Sequence, residues 1–203
     1  MKARLLATTL LCTANAMATS LSFDADTVGH APSGWTCGAT GKGAPRWTVE
    51  TDATATPRRL LRQSGAAPFP WCVKNETALA DGWVEVRFRP LAGREDQAGG
   101  VVWRFKNGDN YYVARANALE NNVSLYYTEG GVRRTLKYVD APVAAKAWHT
   151  LRVEFAGSRI VVSLDGRRRI ELDDTHIGGA GAVGVWTKAD SVTEFADFAY
   201  GAS

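Results

Sequence analysis

The chain has 203 residues, with 24 Lys and Arg against 21 Asp and Glu for a formal charge of +3. Two of the cations, Lys2 and Arg4, stand in the first segment, and without them the charge is 3 − 2 = +1. That is too near neutral for a nucleic-acid partner or an anionic membrane surface.

The first residues read as a secretory signal. Lys2 and Arg4 precede "LLATTLLC", an apolar run too short to span a bilayer. Ala14-x-Ala16 or Ala16-x-Ala18 suits a signal peptidase, so 1–18 is expected to be a signal peptide and 19–203 a single domain, secreted or periplasmic. Leu11 stands before Cys12 where lipidation needs a small residue. No other apolar run is long enough for stable membrane insertion. Cys37 and Cys72 remain, and an oxidising compartment favours a disulfide between them, two buried thiols being the alternative. Neither a CxxC nor a nearby His pair accompanies them, which argues against a structural metal.

Strand patterns then recur along the chain. "TATPRRLLR" is the one stretch with a helical look, and Pro57 limits it to a turn or so. "WVEVRFRP" alternates Val84, Val86 and Phe88 with Glu85, Arg87 and Arg89. "GVVWRFK" sets Val101, Trp103 and Phe105 against Val102, Arg104 and Lys106. "NGDN", "EGG" and "DG" are hairpin signals between such runs.

Faces must match across paired strands, which predicts a register. With "NGDN" as a four-residue loop, Lys106 faces Tyr111, Trp103 faces Ala114 and Phe105 faces Tyr112. With Ala118 to Asn121 as the next loop, Asn117 pairs with Asn122, Ala114 with Leu125 and Ala116 with Val123. A turn at Gly130-Gly131 sets Leu125 opposite Leu136 and Val123 opposite Tyr138. A three-residue loop at Asp165 to Arg167 pairs Val162 with Ile170 and Ile160 with Leu172. This meander needs a second sheet over its apolar face, and the strands at 148–156, 160–165, 168–172 and 182–188 are expected to supply it. The predicted fold is all-β, a two-sheet antiparallel sandwich of jelly-roll type.

Four stretches occur in order: "FDADTVGHAPSGWTCG", "GVVWRFKNGDNYYVARANALENNVSLY", "WHTLRVEFAGSRIVVSLDG" and "DDTHIGGAGAVGVWTKADSVTEFADFAYG". Together, from about Phe23 to Gly201, they resemble the concanavalin A-like (laminin-G-like) jelly rolls of bacterial secreted proteins. In particular the chain resembles the family named for 3-keto-disaccharide hydrolases. The resemblance implies a protein that meets carbohydrate or a sugar derivative on a concave sheet face.

The polar side of the meander comprises Arg104, Lys106, Tyr111, Arg115, Asn117, Asn122, Ser124 and Tyr126. Same-face neighbours about 6.6–7 Å apart, on strands about 4.8 Å apart, form a grid that suits sugar hydroxyls. Planar polar groups and tyrosines are what a sugar site needs. A wetted sheet face has the same alternation. A glycan-binding face at Arg104, Tyr111, Arg115, Asn117, Asn122 and Tyr126 is the expectation. An alternative is a hydrolase or lyase on 3-keto-glycosides, with Glu120, Arg115 and Arg104 as base and enolate stabilisers. A structural envelope or adhesion domain is a further alternative.

"ELDDTH" gathers Glu171, Asp173, Asp174 and His176. It lacks the third carboxylate of the Glu-x-Asp-x-x-Glu strand of family 16 glycosidases. Asp173 and Asp174 therefore read as loop acids, or as part of an oxygen-ligand site for Ca²⁺ or another divalent metal. His149 shares a face with Leu151, Val153 and Phe155, which reads as a half-buried, hydrogen-bonded histidine rather than a catalytic one. Trp186, alternating with Val185, reads either as a stacking platform or as a cap on the sandwich.

Overall fold

The structure is a computed structural model that describes residues 18–52 and 59–203. The segment expected to be a signal peptide lies, but for Ala18, outside the described residues. In chain order the strands are β1 (Thr19–Leu21), β2 (Trp35–Thr40), β3 (Trp47–Thr51), β4 (Arg59–Gln63) and β5 (Phe69–Lys74). They continue with β6 (Gly82–Ala92), β7 (Ala98–Asn107), β8 (Asn110–Asn117), β9 (Asn122–Glu129) and β10 (Val132–Asp140). The last are β11 (His149–Ala156), β12 (Arg159–Leu164), β13 (Arg167–Asp173), β14 (Ala182–Trp186) and β15 (Val192–Ala202).

Two antiparallel sheets face one another. One runs β10-β9-β8-β7-β14-β5-β2, and the other β13-β12-β11-β6-β15-β4-β3 with β1 added on β15. The alternations of the sequence fill the space between them. Val84, Val86 and Phe88 on β6 and Leu151, Val153 and Phe155 on β11 oppose Trp103, Tyr112, Ala114 and Leu125. Trp103 stacks on Tyr112 and on Phe155, with ring centres 5.2 and 6.0 Å apart. Phe88 presses so close to β7 that a Cβ at Gly99 would lie 2.2 Å from its ring, so only glycine fits there. The jelly-roll sandwich expected from the sequence is the fold observed.

Four local expectations are corrected. Arg59–Gln63 is a strand and not part of a helical turn, while 53–58 lie outside the described residues. Leu61 of that strand faces Val49 on one side and Phe195 on the other, and this pairing overrides local helix propensity. Residues 182–186 join the sheet of the meander, between β7 and β5, rather than the opposing sheet. Alternation identifies a strand's faces but not its neighbours.

The third correction concerns the β7–β8 hairpin. Asn107 pairs with Asn110 around the turn, yet Trp103 pairs with Tyr112 and Val101 with Ala114. Three residues of β7 therefore span one of β8, a bulge in which Arg104 adopts a φ of 45°. Within the bulge the alternation is broken, so Phe105 leaves the core side and packs with Tyr111 and Val113. The fourth is milder. β9 and β10 pair as expected up to Thr135, but a shift at Leu136 sets Leu125 opposite Lys137 and Val123 opposite Val139. Asn117–Asn122, Ala114–Leu125 and Ala116–Val123 pair as expected. So do Val162–Ile170 and Ile160–Leu172, although the turn is Asp165-Gly166 with a register shift after Val162.

Cys37 and Cys72 sit opposite each other on β2 and β5 and form a disulfide, which settles the sequence's two alternatives. His149 is buried as expected, its Nδ1 2.8 Å from Asp165 Oδ2 and its Nε2 3.0 Å from the Ala144 carbonyl.

Candidate functional site

The outer face of the seven-stranded sheet carries the second set of alternating residues. Tyr111, Val113, Arg115 and Asn117 project from β8, and Asn122, Ser124, Tyr126 and Thr128 from β9. Val102, Phe105, Trp186 and Val73 continue that layer across β7, β14 and β5.

This face is concave. β10 and β5 are five strand spacings apart, about 24 Å on a flat sheet. Even so, the Arg133 guanidinium of β10 lies 4.6 Å from the ring centre of Phe69 on β5 and 5.7 Å from Trp186. Side chains meet across that span only if the sheet rolls around them. Rolling also explains why Tyr111, Asn117, Asn122 and Trp186 have no exposed surface although they lie on an outer face. The middle of the trough is floored by aromatic rings: Phe69 stacks on Trp186 at 5.9 Å, and Phe105 packs between Trp71 and Tyr111.

The polar groups gather at one end. Asp96 accepts hydrogen bonds from Arg115 Nη1 at 2.8 Å and Asn117 Nδ2 at 2.6 Å, and pairs with Lys188 Nζ at 3.1 Å. Glu120 Oε2 accepts from Arg115 Nη2 at 2.7 Å and from Asn122 Nδ2 and the Tyr138 hydroxyl at 2.8 Å each. Arg115 Nε donates to the Tyr126 hydroxyl at 3.3 Å. One guanidinium thus ties two carboxylates and a tyrosine into a single network.

Local chemistry holds each acid in place. Asn117 Oδ1 accepts the Leu119 amide at 2.9 Å and Asn121 takes a φ of 50°, which together turn the loop that presents Glu120. Asp190 accepts the backbone amides of Arg94, Glu95 and Asp96 at 2.7, 3.0 and 3.2 Å, which winds the loop bearing Asp96 around its carboxylate. Burial opposes ionisation of Asp190, but those amides outweigh it and keep its pKa below the ordinary value.

Exposure separates supports from contact groups. The side chains of Arg115 and Asp96 are 4% and 7% exposed, whereas that of Glu120 is 38% exposed and Tyr138 is 48% exposed as a residue. Oε1 of Glu120 accepts no hydrogen bond among the described residues. Burial pushes the Glu120 pKa up, but Asn122, Tyr138 and Arg115 outweigh it and hold the carboxyl below its ordinary range. Burial and the bond to Glu120 push Tyr138 up to about 12. At neutral pH, then, Tyr138 stays protonated and donates a hydrogen bond to an ionised Glu120. Beside Lys188 a recess of about 400 Å³ opens, lined by 66–68, Glu95 and 188–190.

Of the residues expected on this face, the structure brings together Tyr111, Arg115, Asn117, Asn122, Ser124 and Tyr126. Tyr111 lies in its floor, with its hydroxyl 2.8 Å from Thr40 Oγ1. The bulge sends Arg104 and Lys106 elsewhere. Arg104 donates to the carbonyls of Ala80, Ile177 and Gly157 at 2.9, 3.2 and 2.7 Å, and Lys106 bonds the Ala180 carbonyl. Trp186 lies under Phe69 and Arg133, within the floor. Asp96, Tyr138, Lys188, Phe69 and Arg133 are site residues that alternation within one hairpin did not reveal.

Asp173 and Asp174 do not converge. Asp173 accepts from the Ser158 hydroxyl at 2.8 Å, while Asp174 bonds the Tyr112 hydroxyl and lies 2.8 Å from His176 Nδ1. Among the described residues no group of three or more His, Cys, Asp or Glu is arranged to hold a metal ion. The pair therefore does not fit the oxygen cage that Ca²⁺ requires.

No family model matches the chain, and no curated protein sequence does. Solved structures share its fold. The carbohydrate-binding module CBM66 from Bacillus subtilis superposes with a TM-score of 0.67 at 20% identity, covering 81% of this chain and 93% of that one. A prokaryotic β-1,3-1,4-glucanase (lichenase) from a mouse hindgut metagenome gives 0.62 at 12% identity over 91% and 98%. The exoplasmic/lumenal domain of VIP36, in a form bound to Ca²⁺ and Man3GlcNAc, gives 0.60 at 12% identity over 90% and 87%. This chain is a jelly roll of the concanavalin-like, galectin-like kind.

Proposed function

We propose that the chain is a secreted or periplasmic carbohydrate-recognition domain, which binds glycan at the polar end of its concave sheet face. One observation carries this reading: Glu120 is exposed, ionised, held on one oxygen by three donors and free on the other. A carboxylate fixed in this way accepts a sugar hydroxyl without losing side-chain entropy on binding. Tyr138 and Lys188 stand at the same rim, and half-buried Phe69 offers a ring beside them. Carbohydrate-binding neighbours in fold support the same class of ligand.

Isothermal titration against a panel of oligosaccharides tests it. Glu120→Gln is expected to weaken binding about ten- to a hundredfold, the worth of a hydrogen bond to a charged group. A fold cost of about 1 kcal/mol at most should accompany it, because the Glu120–Arg115 pair is partly exposed. Binding by Glu120→Gln at full strength, or no glycan bound by the parent chain, would overturn the reading. The sign of the pH response also follows. A lowered folded-state pKa means that the ionised contact is present above the ordinary carboxylate range and is lost as pH falls through the lower folded value. Affinity should therefore hold from pH 7 to 5 and decay only in more acid solution.

Elimination on a 3-keto-glycoside is the second reading, and the 2.7 Å contact between Arg115 and Glu120 favours it. Glu120 would take the C2 proton, Arg115 would stabilise the enolate, and the C1 substituent would leave with the electron pair. Three donors holding Glu120 ionised make it a feeble base at neutral pH, which places binding first. Sugar release from a 3-keto-glycoside by the purified chain would reverse that order.

A further inference from the structure

Arg133 is the cation on the concave face that lacks an anion. Its guanidinium lies 4.2 Å from the ring centre of Tyr126, 4.6 Å from Phe69 and 5.7 Å from Trp186, rings contributed by three different strands. Among the described residues it makes no ion pair and no side-chain hydrogen bond, and its Nη1 is fully buried without an acceptor. The other cations of the face are satisfied: Arg115 by Asp96 and Glu120, Lys188 by Asp96. Three cations share two carboxylates there, so the surplus charge rests on Arg133.

Arg169 also has a buried Nε without a partner, but three other arginines withdrawn from solvent are satisfied. Arg62 and Arg89 share Glu194, and Arg104 is bonded to three carbonyls. Cation–π contact offsets part of the desolvation of Arg133, but it leaves the N–H donors unmet. Burial, and then repulsion from Arg115, depress its pKa. An acceptor from outside would meet both needs at once. Arg133 as a whole is only partly buried, so the side chain is not sealed from solvent although its Nη1 is.

We infer that the glycan recognised on this face is acidic, and that Arg133 receives a sugar carboxylate while the sugar ring lies against Phe69. The planar fork of a guanidinium matches a carboxylate in two parallel hydrogen bonds, which a neutral hydroxyl cannot supply. This rests on the proposed glycan-binding role and specifies its ligand class. A uronate is the simplest sugar with the required group.

The experiment is titration of the chain with an oligogalacturonate and with its methyl ester, which has the same skeleton without the charge. The acid is expected to bind at least tenfold more tightly than the ester, with a preference that shrinks as salt rises. Arg133→Met keeps the packing of the stem and should abolish the preference of acid over ester. Arg133→Lys keeps the charge without the fork and should retain only part of it. Equal binding of acid and ester, an unchanged preference in Arg133→Met, or tighter binding of a sulfated oligosaccharide would each overturn the carboxylate assignment. Neutral glycans binding while neither galacturonide does would overturn the inference and leave the glycan-binding role standing. Binding of no glycan of any class would overturn both.

Discussion

Arg115→Ala should lower the unfolding free energy by about 3 kcal/mol, measured by urea denaturation at neutral pH. Removing one member of a buried ion pair typically costs about 3–5 kcal/mol, because the charge left behind is unpaired. The lower end applies here for two reasons. Asp96 would keep Lys188 and Asn117, and Glu120 is exposed enough to be rehydrated. For a domain of this size the melting temperature should fall by roughly 6–12 °C. A double-mutant cycle of Arg115→Ala with Asp96→Ala should return a coupling of about 1–3 kcal/mol. A shift below about 1 kcal/mol for Arg115→Ala alone would show that the network is not the keystone of this end of the sheet. The variant also bears on how binding data are read: lost affinity in Arg115→Ala reports a disrupted support, whereas lost affinity in Glu120→Gln reports a lost contact.

Replacing both Cys37 and Cys72 by alanine should cost about 4 kcal/mol. The bond closes a loop over a sequence separation of 35 residues, and the chain-entropy model gives that value for such a loop. The melting temperature should drop by roughly 8–16 °C, and reduction of the parent chain should reproduce the drop. β2 lies at the edge of its sheet, joined to β5 alone, so the crosslink fastens a strand that has one neighbour. Glycan affinity measured well below melting should be unaffected, since neither cysteine belongs to the polar end of the trough. A fall of less than about 3 °C, with both thiols absent by mass spectrometry, would show that strand pairing alone secures β2.

Much of this was legible from residue order. The alternation from Asn107 to Tyr126 separates Tyr112, Ala114 and Ala116, which enter the core, from Tyr111, Arg115 and Asn117, which face outward. The loop of Ala118 to Asn121 pairs Asn117 with Asn122, and all the pairs behind it follow. Arg104 and Phe105 were misplaced for one reason: they lie within a bulge, at a residue with positive φ, where the alternation on which the reading depends is broken. An arginine at a left-handed position leaves no mark in a pattern of apolar and polar residues.

The chain's own sequence determined the fold class, the hairpins, the opposing faces and the pairing of Cys37 with Cys72 as one of two possibilities. Those features depend on near neighbours, on turn chemistry and on a side-chain period of two, all written locally. Tertiary structure alone decided the sheet that β14 joins, the meeting of Asp96, Arg115, Glu120, Tyr138 and Lys188, and the approach of Arg133 to Phe69. Each of these depends on strand order or on twist accumulated over several strands, and neither quantity is carried by any single stretch of residues.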